Sequence, residues 1–496
     1  MPAAGLAAAA LFFAALAMTR LIARDEGYYA LAAKLVLQGQ RPYLDFFYPQ
    51  MPLLPYVYAL WMKAAGASWT SIRLFSALLA ALLTLLLMLE TRRLFGNWAA
   101  LLAALLFAAC NFVFPWFVTV QTYSLSTLLL FASYVLLNRS SAALPLLLSG
   151  LLFGAAVDAR LMFAGLAPVL VLHLVLRAPC LRQGLRTALL FCCGAAAAAA
   201  PNAFFILADF DAYMFNNLGY HLNRAAHSMH AEMMHKIVIL KVLLGLARSE
   251  KFDAFQMPLL ILANLAALAA VRGARRPLDP CFLIAAALFA LNLTPTPAYV
   301  KYFSTLVPFL IVGALYCIPA ARALSGTARA GAAAGGLIAL LIYLAGVPQD
   351  IVRYTKSGKG VIGIMTPANA ELWSLRRVRE ISALIDGKLG AGQTAAVFWP
   401  GYLLEARARA YPGLENHFGL DAAARLRPEE RPRYRLLSEK GMVEAVRAGK
   451  PDAVLIFNLP RKNRVPSDAL RTYSLAAEKA PAALYLRKQQ GFPDPG

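Results

Sequence analysis

The chain has 496 residues, 60% of them hydrophobic and only 15% charged, with a formal net charge of +22 and a mean hydropathy of +0.58. That balance excludes an ordinary soluble enzyme of this length and places the chain among membrane proteins. The basic excess calls for no nucleic acid, because much of it is arginine in short loops between apolar segments, positioned to meet membrane phospholipid.

Apolar stretches able to cross a hydrocarbon core of about 30 Å recur from residue 4 to residue 346 and then stop. They read as about eleven transmembrane helices, at 4-23, 70-89, 98-114, 122-137, 144-157, 161-176, 187-207, 254-271, 280-293, 303-320 and 330-346. Little positive charge precedes the first run, and AMTRLIARDE flows on into a loop, so 4-23 reads as a retained span rather than a signal peptide. The expected fold class is a polytopic all-α membrane protein over residues 1-346, followed by a soluble α/β or mixed domain over 347-496.

Charge in the loops gives an orientation. With the N-terminus inside, Arg92, Arg93, Arg139, Arg177, Arg182, Arg186, Arg272, Arg275, Arg276, Arg322 and Arg329 fall on alternate connections, whereas the opposite short connections at 115-121 and 294-302 carry only Lys301. The loops 24-69 and 208-253 and the tail after 347 then face outward, which is the periplasm if the host is a Gram-negative bacterium.

The first outer loop contains DEGYYALAAKLVLQGQRPYLDFFYPQMPL, residues 25 to 53. Asp25 and Glu26 open it at the mouth of an apolar helix, where ionised carboxylates are expensive and tend to mark a functional cavity. Residues 27-38 and 53-63 are patterned as interfacial helices, the second with Tyr56, Tyr58 and Trp61 at aromatic-belt depth, and Pro42, Pro49 and Pro52 impose turns between them. Asp45 in this stretch reads equally as a second polar wall of the cavity or as a turn residue satisfying backbone donors.

Further along, Asp158 and Arg160 lie between two apolar stretches, as a capped hairpin with Arg160 facing headgroups or as a phosphate clamp. The loop 208-253 holds His221, His227, His230 and His235. Their spacing is loose for a metal and no Cys accompanies them, so no metal site is expected there. Asn216, Asn217, Tyr220 and His221 read as acceptor or headgroup contacts, and MMHKIVILKVLL as an interfacial helix. Six cysteines lie in or beside the apolar region and none after 347, so disulfides contribute nothing to the tail. In that tail VIGIMTPANAELW, QTAAVFWPGYLLEARAR and PDAVLIF read as strands or strand-helix pieces. Trp399 and His417 stand out as candidate surface residues for acceptor recognition.

The Asp-Glu pair just after the first span, the segment RPYLDFFYPQMPL, the many spans and the terminal soluble region together resemble the GT-C class of membrane glycosyltransferases, the group of protein O-mannosyltransferases and the bacterial lipid A aminoarabinose transferase. The resemblance implies a polyprenyl-phosphate sugar donor, a lipid, glycan or protein acceptor, and work on the outer face of the inner membrane. It implies no required cofactor, with a divalent cation compatible. By the same resemblance Asp25 is the base that activates the acceptor, with Glu26 completing the pair. Arg160 and Lys301 are the cations that meet phosphate, with Asp158 nearby. Tyr48 and Gln50 stand by the sugar. Where many relatives carry a Glu-Lys-Pro-Pro-like sequence this chain has Tyr48, Pro49, Gln50, Met51 and Pro52, so the role of that charged pair does not carry over. A lipid or glycan transporter is the rival class, but its charges belong near the midplane rather than at the outer ends of spans.

Overall fold

The computed structural model describes residues 2–224, 228–247, 255–273, 278–357, 367–457, 465–479 and 481–488. His227, Arg275, Arg276 and the VIGIMT portion of the tail lie outside the described residues. Helices dominate as far as residue 357: α1 Pro2–Thr19, α2 Glu26–Leu37, α3 Leu53–Ala65, α4 Trp69–Phe95, α5 Asn97–Ala108, α6 Thr122–Arg139, α7 Ala143–Ala159, α8 Ala167–Arg177 and α9 Leu181–Ala199 are followed by further helices. Each expected span contains helix, although 4-23 leaves it after Thr19 and 98-114 after Ala108, and length and apolarity alone qualify four among the described residues: Trp69–Phe95, Gln256–Gly273, Val300–Arg322 and Gly326–Ser357. Leu181–Ala199 and Asn202–Ala208 make a fifth if their 56° bend is one broken span. The shorter apolar helices, such as Ala143–Ala159 and Pro280–Leu291, need neighbours or tilt to cross.

Local sequence sets these elements. Ser68 caps α4, its side chain accepting from the Ser71 N–H, and Gly96 ends the helix at φ 94°. Small residues hold α7 against α9. A Cβ on Gly194 would stand 2.1 Å from the Leu147 carbonyl oxygen, and one on Gly150 would stand 1.9 Å from that of Phe191, so only glycine lets these backbones approach. Gly194→Leu is therefore expected to destabilise the detergent-purified protein by about 2 kcal/mol or more in a melting experiment. Gly331→Leu, with nothing within 4 Å of the added Cβ, is the control expected to melt as the wild type does.

The tail builds a five-stranded mixed sheet in the order β2-β1-β3-β5-β4, from β1 Thr394–Ala396, β2 Arg409–Ala410, β3 Ala453–Phe457, β4 Tyr473–Lys479 and β5 Ala482–Arg487. β1 pairs parallel with β2 and β3, and β5 antiparallel with β3 and β4. PDAVLIF is the central strand, as its continuous apolar run predicts. Pro367–Trp373 is a 3-10 helix, the helical alternative for that piece.

The core does not stop where the composition changes. Tyr28, Leu31, Tyr48, Tyr58 and Trp69 of the first loop share one apolar cluster with Val397, Leu404, Leu455 and Leu484 of the tail. Hydrogen bonds tie the same surfaces: Ile22 N–H donates to the Trp373 carbonyl at 2.7 Å, Trp69 N–H to Glu405 at 2.8 Å, and Lys34 Nζ to the Leu403 carbonyl at 2.7 Å. Thus α2, expected to lie on the membrane surface, is sandwiched and buried along most of its length. α3 keeps Tyr56 and Leu60 exposed, as an interfacial helix does.

Candidate functional site

A cavity of about 600 Å³ opens where the first loop, the α7 end, residues 217–224, the 294–302 connection and the tail converge. Asp25 is the sole carboxylate in its wall among the described residues, together with Arg24, Arg160, Arg224 and Lys301. Tyr28, Tyr29, Gln50, Tyr123, His221, Tyr299, Tyr302 and Phe418 complete the polar and aromatic lining.

The chain leaves α1 at Thr19 and turns at Ala23–Asp25, so that Asp25 is the N-cap of α2 with its side chain free of any capping bond. Its Oδ2 instead accepts from Lys301 Nζ at 2.8 Å. Burial works against charge on Asp25, but Lys301, His417 and Arg24 more than offset it and hold the carboxyl below the usual carboxylate range. The Lys301 ammonium lies 5.4 Å from the Trp116 ring centroid and 5.7 Å from that of Tyr299, an aromatic cage for a desolvated cation.

Arg160 follows the last residue of α7, where the chain leaves helical geometry at φ −155°. Its guanidinium sits between the Tyr123 and Tyr302 rings, 5.0 and 4.9 Å from their centroids, and donates to Thr122 Oγ1 at 3.0 Å. Arg224 lies over Tyr220 and Phe418 at 5.6 and 5.9 Å. Stacked this way, both arginines keep donors available to an anion. His221 Nε2 stands 3.0 Å from the Pro49 carbonyl, and burial beside Arg224 pushes its pKa down to about 4, so the ring is neutral near pH 7 and donates that bond. It thereby fixes the backbone on which Gln50 projects into the cavity.

The tail finishes the wall. Trp399 Nε1 donates to the Arg24 carbonyl at 2.7 Å, and the ring stacks on Trp69 with centroids 5.8 Å apart and planes 5° from parallel. Gly27 is the residue that tolerates this approach, since a Cβ there would stand 2.6 Å from the indole. His417 and Phe418 pack on Tyr28 at 5.7 and 5.8 Å.

Of the residues singled out from the sequence, Asp25, Gln50, Arg160, Asn217, His221 and Lys301 come together in this cavity. The others stand elsewhere. Glu26 points back into the bundle, fully buried, and accepts from both Arg73 Nε and Nη2 at 3.0 Å, from Ala23 N–H at 2.7 Å and from Val120 N–H at 3.0 Å. Successive helical residues diverge by about 100°, so Glu26 cannot share the direction of Asp25 at the start of α2. Asp45 is a turn residue on the surface, paired with Arg41 at 2.9 Å and accepting its N–H. Tyr48 lies behind the wall, its ring 6.2 and 6.3 Å from those of Tyr28 and Tyr29. Asp158 is buried and accepts from Asn202 Nδ2 at 2.9 Å. Tyr220 packs on Phe47 at 5.4 Å and lines an adjoining small cavity of about 190 Å³ that shares Arg224 and Phe418 with the first. Arg224 and Phe418 escaped the sequence reading. The placement of Arg224 four residues after Tyr220 was a usable signal, but Phe418 had none. Among the described residues no group of three or more His, Cys, Asp or Glu side chains converges as metal ligands.

Residues 49–205 match the family model of dolichyl-phosphate-mannose-protein mannosyltransferase. The fold is similar to the crystal structure of ArnT from Cupriavidus metallidurans bound to undecaprenyl phosphate, with a TM-score of 0.65, 16% identity and 98% of each chain covered. It is also similar to the apo state of that protein, at a TM-score of 0.63, 15% identity and 97% of each chain. No curated protein matches the sequence. The chain thus has the fold of the GT-C membrane glycosyltransferases across nearly its whole length, and the likeness first carried by its Asp25–Pro52 segment extends to the mannosyltransferase-type match at 49–205.

Proposed function

We propose that the chain is a glycosyltransferase that moves a sugar from a polyprenyl-phosphate donor to a lipid, glycan or protein acceptor at the outer face of a bacterial inner membrane, with its N-terminus cytoplasmic and its tail outside. The observation that carries this reading is one carboxylate facing four cations, among the described residues, in a single cavity at the end of an apolar bundle. The undecaprenyl phosphate bound by the structurally similar ArnT supports the donor class.

In this reading the donor phosphate rests on Arg160 and Lys301 and its sugar near Gln50. The acceptor nucleophile approaches Asp25, its proton passes to a carboxylate oxygen, and the bond from the anomeric carbon to the phosphate oxygen breaks as the new glycosidic bond forms. The electron pair leaves with the phosphate, whose charge the cations already face. Inversion in a single displacement is taken from the family likeness. The scheme is written without a required cofactor and leaves room for a divalent cation.

Before acting as base, Asp25 must exchange Lys301 for the acceptor, and the incoming phosphate is the group that draws Lys301 away. Lys301→Met removes the strongest influence lowering the Asp25 pKa and leaves burial to raise it. The acidic limb of the kcat/KM profile is therefore expected to move to higher pH, with a raised donor KM. An unmoved limb would separate the ion pair from the chemistry.

The reading as a whole is tested by reconstitution in liposomes with synthetic polyprenyl-phosphate sugars and outer-leaflet acceptors, scored by mass spectrometry of the product. Movement of the polyprenyl lipid between leaflets without a new glycosidic bond would make the chain a flippase and sink the assignment. Lipid extracts of a deletion strain and its parent then identify sugar and acceptor.

A further inference from the structure

A second large cavity, of about 620 Å³, lies at the opposite end of the bundle. Its wall includes Arg93 in the last turn of α4, whereas Trp69, the first residue of α4, stacks on Trp399 beside the first cavity. The 27 residues of α4 set the two ends about 40 Å apart. The remaining walls come from α8, the end of α6 and the start of the helix Pro280–Leu291.

The carboxylate in this wall is already satisfied. Asp279 accepts from Tyr134 at 3.0 Å, Asn138 at 3.1 Å, Tyr316 at 2.9 Å and the Cys281 N–H at 2.8 Å. Arg93 is held by Glu90 at 2.5 Å. Two groups are left over. Arg177 makes no ion pair among the described residues, and the enclosed Nε2 of His173 has no hydrogen-bond partner among them. Both line the cavity. On the same helix Leu172 and Leu176 are 57% and 74% exposed, so the polar recess continues into an apolar surface open to the bilayer. An arginine and an unpartnered imidazole nitrogen, above two bare leucines, match a phosphodiester joined to acyl chains and match a soluble anion poorly.

We propose that this cavity binds an anionic phospholipid of the leaflet at that end, the one expected to be cytoplasmic, with its phosphate on Arg177 and His173 and its chains along Leu172 and Leu176. The site is separate from the sugar-transfer cavity and does not depend on the reaction assigned there. Its test is native mass spectrometry of the delipidated full-length protein, titrated with phosphatidylglycerol, phosphatidylcholine or inorganic phosphate. Phosphatidylglycerol is expected to bind more tightly than phosphatidylcholine by about five-fold. Arg177→Glu, at an exposed position that folding tolerates, is expected to weaken phosphatidylglycerol by about ten-fold or more. Leu176→Asp is expected to weaken the lipid and leave inorganic phosphate unaffected. Unchanged phosphatidylglycerol binding in Arg177→Glu and in His173→Ala overturns the proposal. Displacement of the lipid by inorganic phosphate alone overturns it too, as it would identify a soluble-anion site.

Discussion

Asp25→Asn is expected to lower sugar transfer by about 10²- to 10⁴-fold while leaving donor binding and melting temperature near those of the wild type. The substitution keeps size and shape and retains an oxygen that accepts from Lys301, now at 2.8 Å from Asp25. It removes the lone pair that takes the acceptor proton, because an amide is a negligible base. Among the described residues no second carboxylate lines the cavity to substitute for it. Single-turnover transfer with saturating donor separates the chemical step from binding. Transfer by Asp25→Asn at the wild-type rate would remove Asp25 from the role of base.

The neighbouring acid is expected to behave in the opposite way. Glu26→Ala is expected to cost about 3–5 kcal/mol of stability, because it leaves the fully buried Arg73 without its counter-charge. Arg73 Nη1 also donates to the Ala17 and Arg20 carbonyls, each at 2.7 Å. Glu26 therefore anchors α4 to the exit of α1 through this arginine, while also accepting from the Val120 N–H. The readout is thermal unfolding in detergent together with the yield of monodisperse protein. A Glu26→Ala protein that melts with the wild type yet transfers no sugar would place Glu26 in the chemistry and reverse the division between the two acids.

The helical bundle was legible because long apolar runs have few alternatives, and because arginines on alternate connections mark one end of it. Asp25, Arg160 and Lys301 were legible as isolated charges against apolar sequence. Their meeting was not, since Lys301 and Asp25 are 276 positions apart and no local pattern records that contact. The opposite fates of Asp25 and Glu26 follow from helix geometry, once the start of α2 is known to within one residue. In the tail, PDAVLIF is strand by β-branched and apolar content. β5, AALYLR, is rich in alanine, a weak strand former, and becomes strand because it pairs along its whole length with β3 and β4. Phe418 reached the cavity only through tertiary packing.

The hydrogen bond from Trp399 to the Arg24 carbonyl has a consequence for biosynthesis. Arg24, the neighbour of Asp25, is clamped by a side chain made long after the last apolar helix. A nascent chain with all its spans made but residues from 399 onward still to come lacks both this clamp and Phe418 of the cavity wall. The cavity wall is therefore complete only once the tail has folded back on the first loop.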